Sequence, residues 1–292
     1  AFVRTKMKNV MTGAVTETTR YTDGSTLVVE TKTDGAVTTT ETAANGVKVK
    51  TVDEPGEDVT ATVTIPRSVD EVTVTIPAEV DYGMVAVNAE TGEIIKRSVP
   101  TGDGMLVKLD GSAELVLVDN AKDFTDTNNH WAENAIDFIS AHGMMNGTGE
   151  TTFSPGSQLT RGMLAVVLYN FEGNPENSFA GTFSDVASDA WYADGVNWAA
   201  GLGVVSGYGN GRFGAENSIT REQMATIFYN YAKTKGYDVT ADTDLSGYTD
   251  AGSVNSYAAD AMRWAVNAGL IEGTTGSTLS AQDNATRAQV AT

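Results

Sequence analysis

Residues 183–221 contain five short sequence elements in a fixed order, and the chain repeats this pattern three times. The middle copy contains Phe183-Ser-Asp185, Trp191, Gly203-Val-Val-Ser-Gly207, Phe213 and Thr220-Arg221. The first contains Phe124-Thr-Asp126, Trp131, Gly143-Met-Met-Asn-Gly147, Phe153 and Thr160-Arg161, and the third contains Tyr248-Thr-Asp250, Tyr257, Gly269-Leu-Ile-Glu-Gly273, Leu279 and Thr286-Arg287. In every copy the first glycine follows the second aromatic by 12 residues, and the arginine follows that glycine by 18. The repeat predicts one supersecondary unit used three times, none of which buries its apolar face alone.

Each copy is predicted to fold as a helix, a glycine-rich loop and a second helix. Apolar residues follow Trp131 at offsets of 4, 7 and 8, as they follow Tyr257, and this places them on one face of a first helix. The second helix should begin at Thr-Arg, where the threonines are natural N-caps and Gln223 and Gln289 complete capping boxes. Its predicted buried stripe in the first copy is Leu164, Val167, Leu168 and Phe171.

The first 120 residues have the pattern of β-strands. In residues 1–56, Asp23-Gly24, Asp34-Gly35 and Asn45-Gly46 recur every 11 residues between Thr- and Val-rich segments, which predicts a β-meander whose turns have positive φ at both central residues. Residues 57–120 contain about six short and more apolar strands, which suggests a small antiparallel sandwich or barrel, and we predict the sandwich. The predicted fold class is therefore multidomain, with a β-rich N-terminal part followed by a mainly α part.

The composition excludes several kinds of function. The net charge of −19 argues against nucleic acid and anionic membrane as partners. No apolar run approaches the ~18 residues that a membrane helix needs, so we expect no membrane insertion. There is no cysteine, so thiolate metal sites and disulfides are excluded. We expect no cofactor, and the chain starts without a basic and apolar leader, so a signal peptide is expected to be absent or already removed. This composition fits an exported bacterial surface protein, and an acidic cytoplasmic protein stays open on composition alone.

The arginine at the start of each second helix is the strongest candidate for a functional residue. A cation in the first turn opposes the helix dipole, so its use at Arg161, Arg221 and Arg287 suggests a purpose. Free backbone N–H groups beside a guanidinium form an anion receptor. The alternative is an arginine paired with a carboxylate such as Asp126 or Asp185, and the residues alone leave the two hypotheses equally weighted.

The repeated motifs resemble the S-layer homology domain of bacterial surface proteins. The resemblance covers residues 121–292 and implies a three-fold pseudo-symmetric trimer of repeats: residues 121–175, 180–237 and 244–292. It also implies grooves between repeats that bind secondary cell-wall polysaccharide, typically through a pyruvylated amino sugar. It assigns to these grooves the following residues: Arg161, Arg221, Arg287, Asp126, Asp185, Asp250, Gly147, Gly207 and Gly273. Trp131 and Trp191 are further candidates, because a tryptophan can stack on a sugar ring. The first copy departs from the family's Thr-Arg-Ala-Glu with Thr-Arg-Gly-Met, and the third has Tyr257 in place of Trp and a shortened last helix.

The resulting functional hypothesis is a non-enzymatic, non-covalent anchor that attaches an exported protein to the bacterial cell wall. The alternatives are a structural S-layer lattice subunit, or the anchor portion of a surface polysaccharide hydrolase whose catalytic domain lies outside this chain. An upstream cargo domain or S-layer neighbours are therefore possible partners. Asp242, Asp244 and Asp250 could bind calcium, but their spacing fits no calcium loop, so we expect an acidic linker and no metal site. Trp198 and Trp264 are expected to pack in the core.

Overall fold

The computed structural model describes residues 1–177, 179, 181–241 and 244–292, which form two compact units. The first unit comprises Ala1–Asp123 with Asp137–His142, and the second comprises Phe124–Ile136 with Gly143–Thr292. The first contains the β-strands, and the second contains most of the helical structure. A β-rich N-terminal region followed by a helical C-terminal part is thus confirmed as the coarse fold class.

Eleven strands form two antiparallel sheets in the first unit. The strands are β1 (Phe2–Lys8), β2 (Val15–Tyr21), β3 (Thr26–Thr31), β4 (Val37–Thr42), β5 (Lys48–Asp53), β6 (Thr60–Thr64), β7 (Val72–Ile76), β8 (Met84–Asn88), β9 (Ser98–Thr101), β10 (Gly104–Leu109) and β11 (Ala113–Asp119). The larger sheet has the order β1-β2-β3-β4-β5-β6-β11-β8, and the smaller has the order β7-β10-β9. Strand β5 pairs with β6, so the larger sheet continues across residue 56, where the sequence suggested a domain boundary.

The meander turns differ from the predicted geometry. Gly24, Gly35 and Gly46 have φ of +93°, +95° and +86°, but the Asp or Asn before each of them does not have a positive φ. The Asx side chain instead accepts a hydrogen bond from the backbone N–H two residues later, as Asp34 does from Ala36 at 3.0 Å. The prediction of positive φ at both central residues was therefore wrong. An Asx side chain that caps its own turn leaves only the glycine to adopt the left-handed conformation.

The apolar core of the first unit lies between the two sheets. The larger sheet contributes side chains from β5, β6, β8 and β11, and the smaller contributes side chains from β7 and β10. Ile76 and Met105 are fully buried, and Leu115 and Leu117 are almost so. Strand β1, by contrast, is exposed along its whole length. The sandwich therefore includes the last meander strand, while the first meander strands bury little surface.

Six α-helices follow the predicted helix–loop–helix order in three copies. They are α1 (Glu133–Ala141), α2 (Arg161–Phe171), α3 (Ala193–Gly201), α4 (Arg221–Thr234), α5 (Ala259–Asn267) and α6 (Arg287–Ala291). Thr160, Thr220 and Thr286 each accept a hydrogen bond from the backbone N–H three residues later, and complete capping boxes occur at the last two. Sequence reasoning therefore located the start of every second helix correctly, because capping is a local interaction.

The buried stripe of the first helices begins one residue later than predicted. Trp131 and Tyr257, placed by the sequence on this stripe, are 66% and 56% exposed. The buried positions instead start at the residue after each aromatic, Ala132 and Ala258. Trp198 and Trp264 are buried, as predicted. The helices proper begin after the aromatics, so each aromatic precedes the regular helical geometry on which the prediction relied.

Short backbone bridges join the three copies in a closed cycle. The N–H of Leu159 donates to the carbonyl of Ala285 at 2.9 Å, and the N–H of Ala285 donates to the carbonyl of Ile219 at 2.8 Å. The N–H of Ile219 then donates to the carbonyl of Leu159 at 2.9 Å. These three bonds, here called the backbone ring, connect the residues just before α2, α4 and α6. All three side chains are fully buried or nearly so, and the ring therefore fixes the starting points of the second helices relative to one another.

Candidate functional site

Each motif arginine reaches from the start of its own helix to the glycine-rich loop of another copy. In all three copies Nε and Nη2 donate to two main-chain carbonyls, and the pairing follows one rule around the cycle. Arg161 binds Phe213 O at 3.0 Å and Ser206 O at 2.7 Å; Arg221 binds Leu279 O at 2.9 Å and Glu272 O at 2.6 Å; Arg287 binds Phe153 O at 2.8 Å and Asn146 O at 2.6 Å. The arginine of copy one therefore binds the loop of copy two, that of copy two binds the loop of copy three, and that of copy three binds the loop of copy one.

This geometry contradicts the ion-pair hypothesis for the arginines. Among the described residues, none of the three guanidinium groups has a carboxylate oxygen within 4.0 Å, so the proposed ion pairs with Asp126 and Asp185 do not form. Asp185 pairs instead with the exposed Arg212 at 3.6 Å. Burial lowers the pKa of the Arg221 guanidinium, against the opposing effect of the Asp283 and Asp250 charges. The sequence could not reveal these bonds, because a main-chain carbonyl has no side-chain signature.

Each motif aspartate accepts hydrogen bonds from the backbone of the loop that a motif arginine of another copy binds. Asp126 accepts hydrogen bonds from the N–H groups of Phe153 and Ser154 at 2.8 and 2.7 Å. Asp185 and Asp250 repeat this arrangement with the corresponding N–H groups at 2.8 to 2.9 Å. Burial opposes the ionisation of Asp126, but the two N–H donors outweigh it and hold the pKa of its carboxyl below the usual value. The geometry gives these aspartates a loop-fixing role.

The second glycine of each loop lies where a side chain would not fit. A Cβ on Gly207 would come within 2.4 Å of the Arg212 carbonyl oxygen and 2.8 Å of the Phe183 ring. At Gly147 the distances to the Thr152 oxygen and the Phe124 ring would be 2.7 and 2.6 Å. Gly273 is less crowded, with both distances at 3.0 Å. These glycines therefore allow the loop to pack on the first aromatic of the motif.

One cavity of about 710 Å³ brings together predicted site residues from all three copies. It is lined by Trp131 from the first copy, Arg221 from the second and Gly273 from the third. Trp131 is largely exposed and Arg221 is only 5% exposed, so the lining of the cavity combines an exposed aromatic side chain with a buried cation. Leu270 and Ile271 add apolar surface. Trp191, the second predicted tryptophan, is 60% exposed.

A buried carboxylate that sequence reasoning missed lies beside Tyr257, the second motif aromatic of the third copy. Glu222 is 1% exposed and accepts hydrogen bonds from the Tyr257 hydroxyl at 2.7 Å and from the Asn255 N–H at 3.0 Å. Burial would raise the pKa of Glu222, but these donors outweigh it and lower the pKa. The first and third copies have Gly162 and Ala288 at this position. An alignment of the copies could have singled out Glu222, since it is the one charged residue among the three.

Two further predictions concern metals and membranes. Asp242, one of the three residues considered for calcium, lies outside the described residues. Among those that are described, no group of three or more His, Asp or Glu side chains is arranged to hold a metal ion. Within the same residues, no helix combines the length and apolar character needed to cross a bilayer.

Comparison with known proteins assigns three copies of one domain to this region. The family model for the S-layer homology domain matches residues 123–162, 182–225 and 247–291. The chain is 26% identical over 171 residues to an amylopullulanase of Thermoanaerobacterium thermosulfurigenes, covering 58% of this chain and 9% of that protein. It is 26% identical over 165 residues to a surface-layer 125 kDa protein of Lysinibacillus sphaericus, covering 56% and 13%. A cellulosome-anchoring protein of Acetivibrio thermocellus is 33% identical over 89 residues, covering 29% and 20%.

These similarities confirm the predicted S-layer homology repeats and indicate a location at the cell surface, outside the cell. The aligned part spans less than a fifth of the first curated relatives that the chain matches.

Proposed function

Because three S-layer homology domains lie in its C-terminal region, we propose that this chain anchors an exported protein non-covalently to a bacterial cell wall. The S-layer homology domain is a non-catalytic anchoring domain, and one relative is named a cellulosome-anchoring protein. The proposed ligand is secondary cell-wall polysaccharide, bound between repeats through a pyruvylated amino sugar. Any catalytic activity would reside in a part of the protein other than these repeats.

The observation that carries the proposal is the cavity at Arg221. We define the Arg221 groove by Arg221, Trp131, Gly273 and Thr274, which all line that cavity. A sugar needs an aromatic surface for its ring, and its acidic substituent needs a cation shielded from water. Trp131 and Arg221 offer these two features on the walls of one cavity.

The arginine retains capacity for an anion after binding the loop. Its Nε and Nη2 each donate to a main-chain carbonyl, whereas Nη1 has no hydrogen-bond partner among the described residues. A guanidinium with a fixed orientation and an unused N–H edge is preorganised for a carboxylate. The pyruvyl ketal of the proposed sugar carries such a carboxylate. In this proposal Arg221 therefore has two roles, the first in holding copy three and the second in binding ligand.

We propose the same arrangement, related by a three-fold pseudo-symmetry axis, at the other two arginines. The Arg161 groove is defined by Arg161 and the loop of copy two, and the Arg287 groove by Arg287 and the loop of copy one. The backbone ring and the repeated arginine contacts support this pseudo-symmetry. Trp191 is proposed to serve the Arg287 groove as Trp131 serves the Arg221 groove. Asp126, Asp185, Asp250, Gly147 and Gly207 are assigned to the grooves through the loops that they shape.

The repeat boundaries at residues 121–175, 180–237 and 244–292 are proposed as the limits of the anchoring units. Residues 1–56 and 57–120 are proposed as β segments that space a cargo from the wall. The exposed strand β1 supports a spacer role, because such a strand contributes little to a core.

A sedimentation assay with purified walls tests the proposed function. The full chain is mixed with native walls, with walls whose pyruvyl ketals have been removed chemically, and with walls stripped of secondary polymer. We expect cosedimentation with native walls only. Equal binding to all three preparations would disprove the polymer as ligand, while equal binding to the first two alone would exclude the pyruvyl group.

A structural S-layer subunit is the second candidate, and the similarity to a surface-layer 125 kDa protein favours it. Formation of ordered sheets by the isolated chain, seen by electron microscopy, would support this candidate. The third possibility, an anchor for a surface hydrolase, is compatible with the polymer-binding role proposed above.

A further inference from the structure

The three loops share one backbone hydrogen bond directly after their second glycine, and the side chain at that position differs between them. Thr148, Tyr208 and Thr274 follow the second glycine of their loops. The backbone N–H of each donates to the carbonyl of the residue four positions later, at 2.9, 2.9 and 2.8 Å. The tyrosine of the second copy therefore stands beside the same backbone hydrogen bond at which the other two loops have a threonine.

A second position changes together with this one. In the first copy Thr148 Oγ1 lies 2.6 Å from Ser154 Oγ, and in the third Thr274 Oγ1 lies 2.8 Å from Ser280 Oγ. The second copy has Gly214 in place of the serine, and a Cβ there would lie 2.6 Å from Cε2 of Tyr208 and 2.6 Å from Nδ2 of the side chain of Asn217, which hydrogen-bonds Tyr208. The tyrosine ring therefore occupies the space of the serine side chain, so the two residues form a matched pair.

The ring of Tyr208 lies over the motif arginine that this loop binds. The Arg161 Cζ is 4.8 Å from the centroid of Tyr208 and 4.7 Å from the centroid of Phe213. Asn217 also donates to the Tyr208 hydroxyl at 3.4 Å. In the third copy the equivalent residue, Thr274, lines the open cavity next to Arg221. An aromatic ring thus covers Arg161 at the loop position where the Arg221 groove has a threonine.

We propose that Tyr208 is a specificity-determining residue that fills the Arg161 groove and prevents it from binding the carboxylate ligand. The inference rests on the proposed function and restricts it: the acidic sugar binds at the Arg221 and Arg287 grooves, whose loops carry the Thr-Ser pair. Arg161 keeps its role of holding copy two, with its guanidinium covered by aromatic rings.

A reciprocal exchange of the residues at these two positions tests this inference on the full chain. In one variant, Tyr208→Thr with Gly214→Ser gives copy two the pair found in copies one and three. Ser154 and Ser280 adopt φ of 60° and 50°, so the serine is compatible with the +70° of Gly214. In the opposite variant, Thr274→Tyr with Ser280→Gly gives the Arg221 groove the pair of copy two. Tyr82→Thr, at an exposed tyrosine of the first unit, is the control substitution.

The probe is a synthetic methyl glycoside of a pyruvylated amino sugar. Binding is followed through the Nε–H NMR signals of Arg161, Arg221 and Arg287, and the number of bound molecules is measured by calorimetry. In the wild type and in the Tyr82→Thr control we expect the Arg221 and Arg287 signals to shift while the Arg161 signal stays fixed. The first variant should gain one bound molecule and a shift at Arg161, and the second should lose one bound molecule and the shift at Arg221.

The outcomes separate this inference from the proposed function. A wild-type chain in which no arginine signal shifts would disprove ligand binding by the repeats and, with it, the inference. Shifts at all three arginines in the wild type would leave the anchoring function standing and overturn the role of Tyr208. An Arg161 signal that stays fixed in a correctly folded Tyr208→Thr, Gly214→Ser variant would also overturn it.

Discussion

Arg287 and Asp126 bind the carbonyl and the N–H, respectively, of one residue, Phe153. The Nε of Arg287 donates to the Phe153 carbonyl at 2.8 Å, and the Asp126 carboxylate accepts from the Phe153 N–H at 2.8 Å. Asp126 belongs to the same copy as Phe153, whereas Arg287 comes from the last copy. The motif aspartate and arginine thus act together without forming an ion pair. The aspartate fixes the loop, and the arginine attaches another copy to it.

The first repeat should not fold on its own. A fragment of residues 121–175 retains Asp126 and the Phe153 loop but lacks the Arg287 side chain and the bonds of Leu159 to the other copies. Its buried stripe, which includes Leu164 and Leu168, would also be left without its surroundings. We expect low helix content by circular dichroism and no cooperative melting. A sharp thermal transition of the isolated fragment would contradict the interdependence of the copies.

Removal of the outer meander should leave wall binding unchanged. A chain lacking residues 1–42 loses β1 to β4 but keeps Val47 and Val49, which belong to the core of the first unit. All the residues proposed to bind ligand lie between 124 and 292. We expect the sedimentation of this chain with native walls to match that of the full chain. A loss of binding with retained melting behaviour would place part of the ligand site in the meander.

Arg221→Lys should weaken both ligand binding and folding. The lysine ammonium cannot reproduce the fork that binds Leu279 O, Glu272 O and a ligand carboxylate at once. We expect a loss of about tenfold in affinity at the Arg221 groove, or ~1.4 kcal/mol. A carbonyl left without a partner should lower the free energy of unfolding by about 1–3 kcal/mol. Calorimetry and urea unfolding measure the two effects.

Arg212→Lys is the matched control for this variant, because the Arg212 side chain is 65% exposed and pairs only across 3.6 Å with Asp185. An exposed pair of this kind contributes at most about 1 kcal/mol. Unchanged affinity in Arg221→Lys, with reduced stability, would restrict Arg221 to its structural role and remove it from the ligand site.

The motif aspartates should make the helical unit sensitive to acid. The pKa of Asp126, Asp185 and Asp250 is lowered in the folded state, so the unfolded chain takes up protons first as the pH falls. Their contribution is fully present above about pH 3.9 and is lost as the pH falls through the lower pKa values of the folded state. The fluorescence of the four tryptophans, all in the second unit, reports its melting.

Asp185→Asn provides the comparison for the acid transition. Its amide oxygen can still accept hydrogen bonds but carries no ionisable group, so we expect a lower melting temperature at pH 7 and a smaller fall towards pH 3. Parallel acid profiles of the wild type and this variant would show that Asp185 does not contribute to the pH dependence.

Local features of the repeats could be predicted from the sequence, and contacts between them could not. The threonine caps and the helix starts depend on neighbouring residues, and the constant spacing made them recognisable at Thr160, Thr220 and Thr286. The partners of Arg161 and Arg221 are backbone atoms more than 40 residues away, which no side-chain pattern marks. The matched Tyr208 and Gly214 could have been found by aligning the copies, because both positions depart together from Thr and Ser.

The backbone ring also has a consequence for the order of folding. The bond between Leu159 and Ala285 joins the first copy to the third, so the ring cannot close until the chain is present as far as Ala285. In a linear repeat array, folding can start at any copy and spread, and the end copies need polar caps. Here every copy has two neighbours and no end copy exists, but closure has the loop-entropy cost of a long-range contact. If the chain is exported as proposed, the three copies would therefore stay unconnected by the ring until Ala285 has left the export channel.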